Sequence, residues 1–174
     1  MASELHVDAI KHSGGTSAIT INSSGHVHSA GAVLQVVEGT LVSTSQFTTT
    51  STSLADTGLT LQITPKFNTS KILVSMIGFG GSGGDNCALL LQIQRQIGSG
   101  SFTMINGGGF FYEVNNFEGC CLSKLDAPNT TSTLTYKVQG HLSTASGTGY
   151  FPGNWANEYA STGMNTLTAQ EIAQ

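Results

Sequence analysis

The sequence predicts an all-β protein, a jelly-roll β-sandwich head with a short N-terminal β-hairpin segment. Three observations carry that prediction. Apolar residues alternate with polar ones at Leu59, Leu61 and Ile63 and again at Leu134, Tyr136, Val138 and Leu142, the two-residue period of a strand with one dry face. No stretch long enough for a helix carries helical spacing. Candidate strands recur roughly every 8–15 residues between Gly, Asn, Ser and Pro turns, the pattern of a sandwich or jelly roll.

The composition sets the class. A chain of 174 residues fits one compact domain with a short appended segment. Hydrophobic residues make up 39% and cluster in strand-like runs, which excludes a disordered chain. Only 9% of residues are charged, against about a quarter in ordinary domains, so much of the surface is expected to be covered in an assembly. Net charge is −4 with Lys and Arg together numbering 6 and no basic stripe, so nucleic acid is not an expected partner. No run approaches the ~18 apolar residues of a membrane span, and MASELHVDAI lacks a signal-peptide pattern, as in a virion protein released by lysis or in an ordinary cytosolic chain. Cys87, Cys120 and Cys121 form neither an even set nor a CxxC, so neither a disulfide framework nor a zinc site is expected.

In chain order, residues 1–40 read as an N-terminal segment for docking and trimerisation. Within it Ala18–Ile21 is a strand, 22–25 a turn, and His26–His28 a returning strand, a hairpin too small to bury a core alone. Ala32–Val37 is a further strand, which Leu41 and Val42 continue. Residues 41–174 form the head. Its Thr/Ser-rich stretch 44–58 is expected to be an extended edge strand, since Thr favours strands. Leu59–Thr64 and Lys71–Ile77 are the central strands, joined by one turn at Pro65 and Asn68. Ile72, Leu73, Val74, Met76 and Ile77 place apolar side chains on both faces of the second, so both faces are expected to be covered. Ile72, Val74, Met76, Leu134, Tyr136, Val138 and Leu167 accordingly form the core or trimer interface. Gly78–Asn86 reads as a loop, Ala88–Ile97 as a strand, Ser101–Ile105 as its hairpin partner, Gly107–Gly109 as a turn and Phe110–Val114 as another strand. Cys120–Leu125, Thr131–Leu142 and Met164–Ile172 complete the set, with a long loop over 143–163.

Little in the chain offers catalysis. His141 is the sole histidine of the head, and Asp56, Asp85, Glu113 and Glu118 form no close pair in sequence, so no enzyme is expected. GFGGSGGD lacks the lysine and the helix of a phosphate loop. The candidate recognition residues are Tyr150, Phe151, Trp155 and Tyr159, which stack on sugars or anchor a protein partner if they face outward, and seal one end of the sandwich if they fold inward.

ITPKFNTSKILV, LLLQIQRQIGSG, TLTYKVQ and TLTAQEIA together resemble the trimeric heads of tailed-bacteriophage virion proteins. Those heads are similar to the jelly roll of the tumour necrosis factor and complement-like superfamily. HSGGTSAITINSSGHV resembles the β-segment that precedes such heads in phage tail fibres. The resemblance covers most of residues 12–172 and implies a homotrimer on the virion surface, bound to other virion proteins through its N-terminal segment. Fibres of this kind usually carry a long shaft and docking domain before the head, whereas residues 1–40 precede it in this sequence, so a short spike, a fibre tip or a capsid-surface protein is the expectation. His26 and His28 stand two apart on a strand and so leave one face together. Around a threefold axis three such pairs would offer an octahedral set of imidazole nitrogens to a divalent, iron-like metal, and the resemblance implies that use.

The function expected is a non-enzymatic structural protein of a phage virion, a trimeric tail-fibre or spike head that attaches to a glycan or protein of the host surface. The alternative is capsid decoration, in which the trimer cements neighbouring capsid subunits. A more distant alternative is a secreted lectin-like binding module.

Overall fold

The computed structural model describes residues 6–15, 17–21, 23–41, 46–84, 86–111, 116–152 and 165–174. The strands in chain order are β1 (Ala9–Lys11), β2 (Ser17–Ile21), β3 (Val27–His28), β4 (Val33–Thr40), β5 (Phe47–Thr49), β6 (Ala55–Ile63), β7 (Lys71–Gly83), β8 (Leu89–Ile97), β9 (Thr103–Phe111), β10 (Asn116–Asp126), β11 (Leu134–Leu142), β12 (Thr148–Phe151) and β13 (Thr166–Ile172). The described residues contain no helix long and apolar enough to cross a membrane.

Two sheets form the sandwich. One runs β4-β13-β7, with β10 on the other side of β7 and the short β12 and β5 continuing the sheet beyond the end of β13. The other runs β6-β11-β8-β9. With β5 and β12 set aside, the eight long strands taken in chain order give sheets 1-8-3-6 and 2-7-4-5, and every pairing is antiparallel. That is the jelly-roll order, two interlocked Greek keys.

The interior follows from alternation. Leu59, Leu61 and Ile63 of β6, Leu134, Tyr136 and Val138 of β11, and Leu89, Leu91 and Ile93 of β8 point inward and are buried. Ile72, Val74 and Met76 of β7 and Leu167 and Ala169 of β13 meet them from the other sheet. β6 and β7, adjacent in sequence, do not pair. Pro65 ends the first, and the turn carries the chain across to the opposite sheet. A buried carboxylate fastens this crossover. Glu171, fully buried on β13, accepts the backbone N–H of Lys66 at 2.7 Å and of Phe67 at 3.3 Å. Its second oxygen accepts from Gln35 Nε2 at 2.6 Å, and Gln35 also donates to the Thr64 carbonyl at 2.7 Å.

Several expectations are corrected. β4 pairs along its length with β13, so residues 33–40 belong to the sandwich and the expected boundary at residue 40 falls inside it. Gly78–Gly83 is not loop but the second half of β7, and Gly107–Gly109 lies within β9 rather than turning between two strands. Glycine leaves a ladder's hydrogen bonds intact, so a neighbouring strand can hold it extended. β7 is dry on one face only: Ile77 is 58% exposed. The N-terminal unit is a three-stranded sheet, β1-β2-β3, because β1 adds to the expected hairpin.

Candidate functional site

A bulge in β6 shapes one hollow on the described surface. β11 pairs β6 at Lys137↔Thr60 and next at Gln139↔Asp56, so residues 57–59 of β6 oppose Val138 alone. Extra residues in one strand swing it outward and re-aim its side chains. Gly58 sits in the bulge at φ 88°, a left-handed conformation that side-chain-bearing residues rarely adopt. Thr57 turns inward, donating to the Val138 carbonyl at 2.9 Å and accepting from Leu59 N–H at 3.2 Å, which fixes the distortion. Beside it lies an open hollow of about 220 Å³ lined by Asp56, Gly58, Thr60, Phe102 and Lys137, with the buried Leu59 and Val138 beneath.

The polar groups here are already ordered. Asp56 Oδ1 accepts from Lys137 Nζ at 2.7 Å and from Gln139 Nε2 at 2.6 Å. The ammonium of Lys137 lies 3.9 Å from the centre of the Phe102 ring, a cation–π contact. Lys137 holds the Asp56 carboxyl below its usual value, with Gln139 assisting and partial burial opposing.

A second polar group lies between the sheets. Arg95 of β8 donates to Asp126 Oδ1 of β10 at 2.6 Å, and Tyr136 of β11 donates to Asp126 Oδ2 at 2.7 Å. Burial first, and then the bond to Asp126, push the Tyr136 phenol far above its usual range. Such a phenol stays neutral, so the triad ties the layers together rather than moving protons. Arg95 stands in register with the inward Leu89, Leu91 and Ile93 along β8, and Asp126, the last residue of β10, meets it from the other layer.

A third feature is the outer face of the larger sheet. Its register sets three rows of four across β4, β13, β7 and β10: Thr40-Thr166-Ile77-Cys121, Glu38-Thr168-Ser75-Ser123 and Val36-Gln170-Leu73-Leu125. Glu38 is the one charged residue in these rows, and Val36, Ile77 and Leu125 are 58%, 58% and 48% exposed.

Of the residues singled out by sequence, Ile72, Val74, Met76, Leu134, Tyr136, Val138 and Leu167 are all fully buried within one chain. They are core and offer no surface to a partner subunit. Phe151 also leaves the candidate recognition set: it is buried on β12, over inward-facing Gly78, where a Cβ would come within 2.5 Å of its ring. Tyr150 points the other way along that strand and is half-buried. Trp155 and Tyr159 lie outside the described residues. His26 precedes β3 rather than lying on it and packs edge-on against Phe67, ring centres 6.3 Å apart. The side chain of His28 also lies outside what the structure describes; among the described residues no three His, Cys, Asp or Glu side chains are grouped to hold a metal ion. Cys87 is buried, and Cys120 and Cys121 point to opposite faces of β10, the first half-buried and the second exposed.

Fold and surface together define a jelly-roll protein with one charge-poor outer face and one hollow beside the β6 bulge. No family model matches the chain, and no curated protein matches it. Among solved structures it is similar to infectious bursal disease virus, Gt strain, at 14% identity over 97% of this chain and 43% of that chain, with a TM-score of 0.48. The Gx strain gives 13% identity over 97% of this chain and 42% of that one, with a TM-score of 0.44. The Yersinia pseudotuberculosis-derived mitogen gives 8% identity over 70% of this chain and 86% of that one, with a TM-score of 0.22. The chain spans less than half the length of the two virus chains.

Proposed function

We propose that the chain is a non-enzymatic structural protein of a tailed-phage virion, whose copies associate as a homotrimer at the virion surface and present a head for host attachment. The observation that carries this reading is the outer face of the larger sheet, with one charge in three rows of four and Val36, Ile77 and Leu125 standing in the open. A face of that kind, in a chain with 9% charged residues, fits burial against other copies better than exposure to water. The side chains between the apolar ones are Ser, Thr and Gln, short or flexible enough to let flat sheets approach. The N-terminal sheet β1-β2-β3, with its resemblance to the segment before fibre heads, supports a tail position and serves to dock other virion proteins.

Light scattering at micromolar concentration tests the assembly: a mass of three times 18.0 kDa is expected, and a stable, folded monomer overturns it. Imaging of the particle tests location. Density on the tail supports attachment, whereas density on the capsid replaces it with decoration. Host contact is assigned to Tyr150, Trp155 and Tyr159. Changing Tyr150 and Trp155 to Ala is expected to weaken adsorption while leaving the trimer mass unchanged.

A further inference from the structure

We propose that the hollow over the β6 bulge binds a single neutral pyranose unit, holding two adjacent sugar hydroxyls between Asp56 and Lys137. The site belongs to one chain and goes beyond the assembly reading, on which it does not depend.

Shape sets the size of the ligand. The bulge at residues 57–59, together with the Phe102 and Lys137 side chains, shapes the hollow. Its volume of about 220 Å³ is below the ~300–1,000 Å³ of pockets for drug-sized molecules, so one sugar ring fits and a second must lie outside. The lining is mostly apolar, which suits the C–H face of a pyranose.

The polar groups select hydroxyls. Asp56 Oδ1 is occupied by Lys137 and Gln139, while Oδ2 has no protein partner among the described residues and remains an acceptor. An ammonium has three donors: Lys137 directs one to Asp56 and lies over the Phe102 ring, leaving donor capacity toward the hollow. Thr60 Oγ1 spends its proton on the Tyr136 carbonyl at 2.9 Å and keeps its lone pairs. Acceptor and donor side by side match a vicinal diol, in which each hydroxyl both gives and takes. Lys137 already covers one face of Phe102, so the ring is a wall of the site and not its stacking platform. The ion pair cancels its own charge, so a uronate meets Asp56 and an amino sugar meets Lys137, and neither gains over the neutral ring. A half-exposed ion pair adds little to stability, whereas one already ordered spares a ligand the cost of ordering it.

The test is an amide chemical-shift titration of the full chain with methyl glycosides of glucose, galactose and mannose, alongside glucuronate and glucosamine. At least one neutral glycoside is expected to produce saturable shifts confined to residues 56–60, 102 and 137–139. Half-saturation is expected at about 1 mM, the scale for so few ligand atoms. Asp56→Ala and Lys137→Met should each weaken binding by roughly tenfold or more, as loss of a charge-assisted bond requires. Gln96→Ala, on the same sheet but outside the hollow, should leave it unchanged. The proposal is overturned if no neutral glycoside saturates, if either hollow variant keeps full binding, or if glucuronate or glucosamine binds more tightly than every neutral ring.

Discussion

The two outer faces of the sandwich are built on the same alternation and end in different chemistry. On the smaller sheet the outward positions of β6, β11 and β8 are Thr60, Gln62, Thr135, Lys137, Gln92 and Gln94, with Asp56 and Lys137 paired over the bulge. On the larger sheet they are mostly short or aliphatic, Ser75, Thr168, Ser123, Ile77, Val36 and Leu125 among them, with Glu38 and Gln170 the long polar residues of the three rows. Long polar side chains keep their water and resist burial, because ordering a Gln or Lys costs rotamer entropy. Short hydroxyls and exposed aliphatics have little to lose. The contrast teaches that the inward half of each strand specifies the fold, while the outward half specifies what each layer meets.

The strongest way to break the comparison is to charge one face at a time. Val36→Glu with Ile77→Glu is expected to reduce a trimer to monomers in light scattering, while Gln94→Glu with Thr135→Glu leaves the mass unchanged. Equal effects of the two pairs would erase the distinction. The next effect tests whether the layers act as one body. Asp126→Ala strands the Arg95 guanidinium between the sheets and should cost about 3–5 kcal/mol in urea unfolding; Tyr136→Phe, which removes one hydrogen bond, should cost about 1–2 kcal/mol. Gly78→Ala should follow at about 1–3 kcal/mol, since the new Cβ meets the Phe151 ring and the aromatic must move. The smallest effect belongs to the polar face. Because Asp56 titrates below its usual value when folded, its ion pair contributes fully above the ordinary carboxylate range and is lost as pH falls through the lower folded value. At this exposure the loss should be below ~1 kcal/mol, visible as a small acid-side slope that Lys137→Met removes.

Much of the interior was legible because alternation reports directly which side of a strand is dry. Leu59, Leu61, Ile63, Leu134, Tyr136 and Val138 were all placed inward on that basis, and all are buried. Alternation does not report which sheet a strand joins. β6 and β7 look like partners across one turn, yet Pro65 and the Glu171 carboxylate turn that connection into a crossover between layers. Glycine hid the rest. The run from Gly78 resembles a loop because it carries little bulk, but its missing side chains leave the space that Phe151 fills. A stretch of glycines continuing a strong strand, with an unplaced aromatic elsewhere, is the signal that could have found β12. The hollow was out of reach because it depends on a bulge, and Asp56 of β6, Lys137 of β11 and Phe102 of the β8–β9 connection are brought together by a register that sequence does not give.

The position of β13 bears on the order in which the protein is made. This strand lies between β4 and β7, so those two never touch through hydrogen bonds of their own. A ribosome releases β4 and β7 long before β13, and until it arrives both expose an unpaired edge. Glu171, which fastens the turn at Lys66 and Phe67, comes with the same late strand. β7 can pair with β10 and β12 as they emerge, but β4 cannot join the larger sheet before β13 does. That last pairing closes the sheet, and a nascent head keeps the open edge of β4 until then.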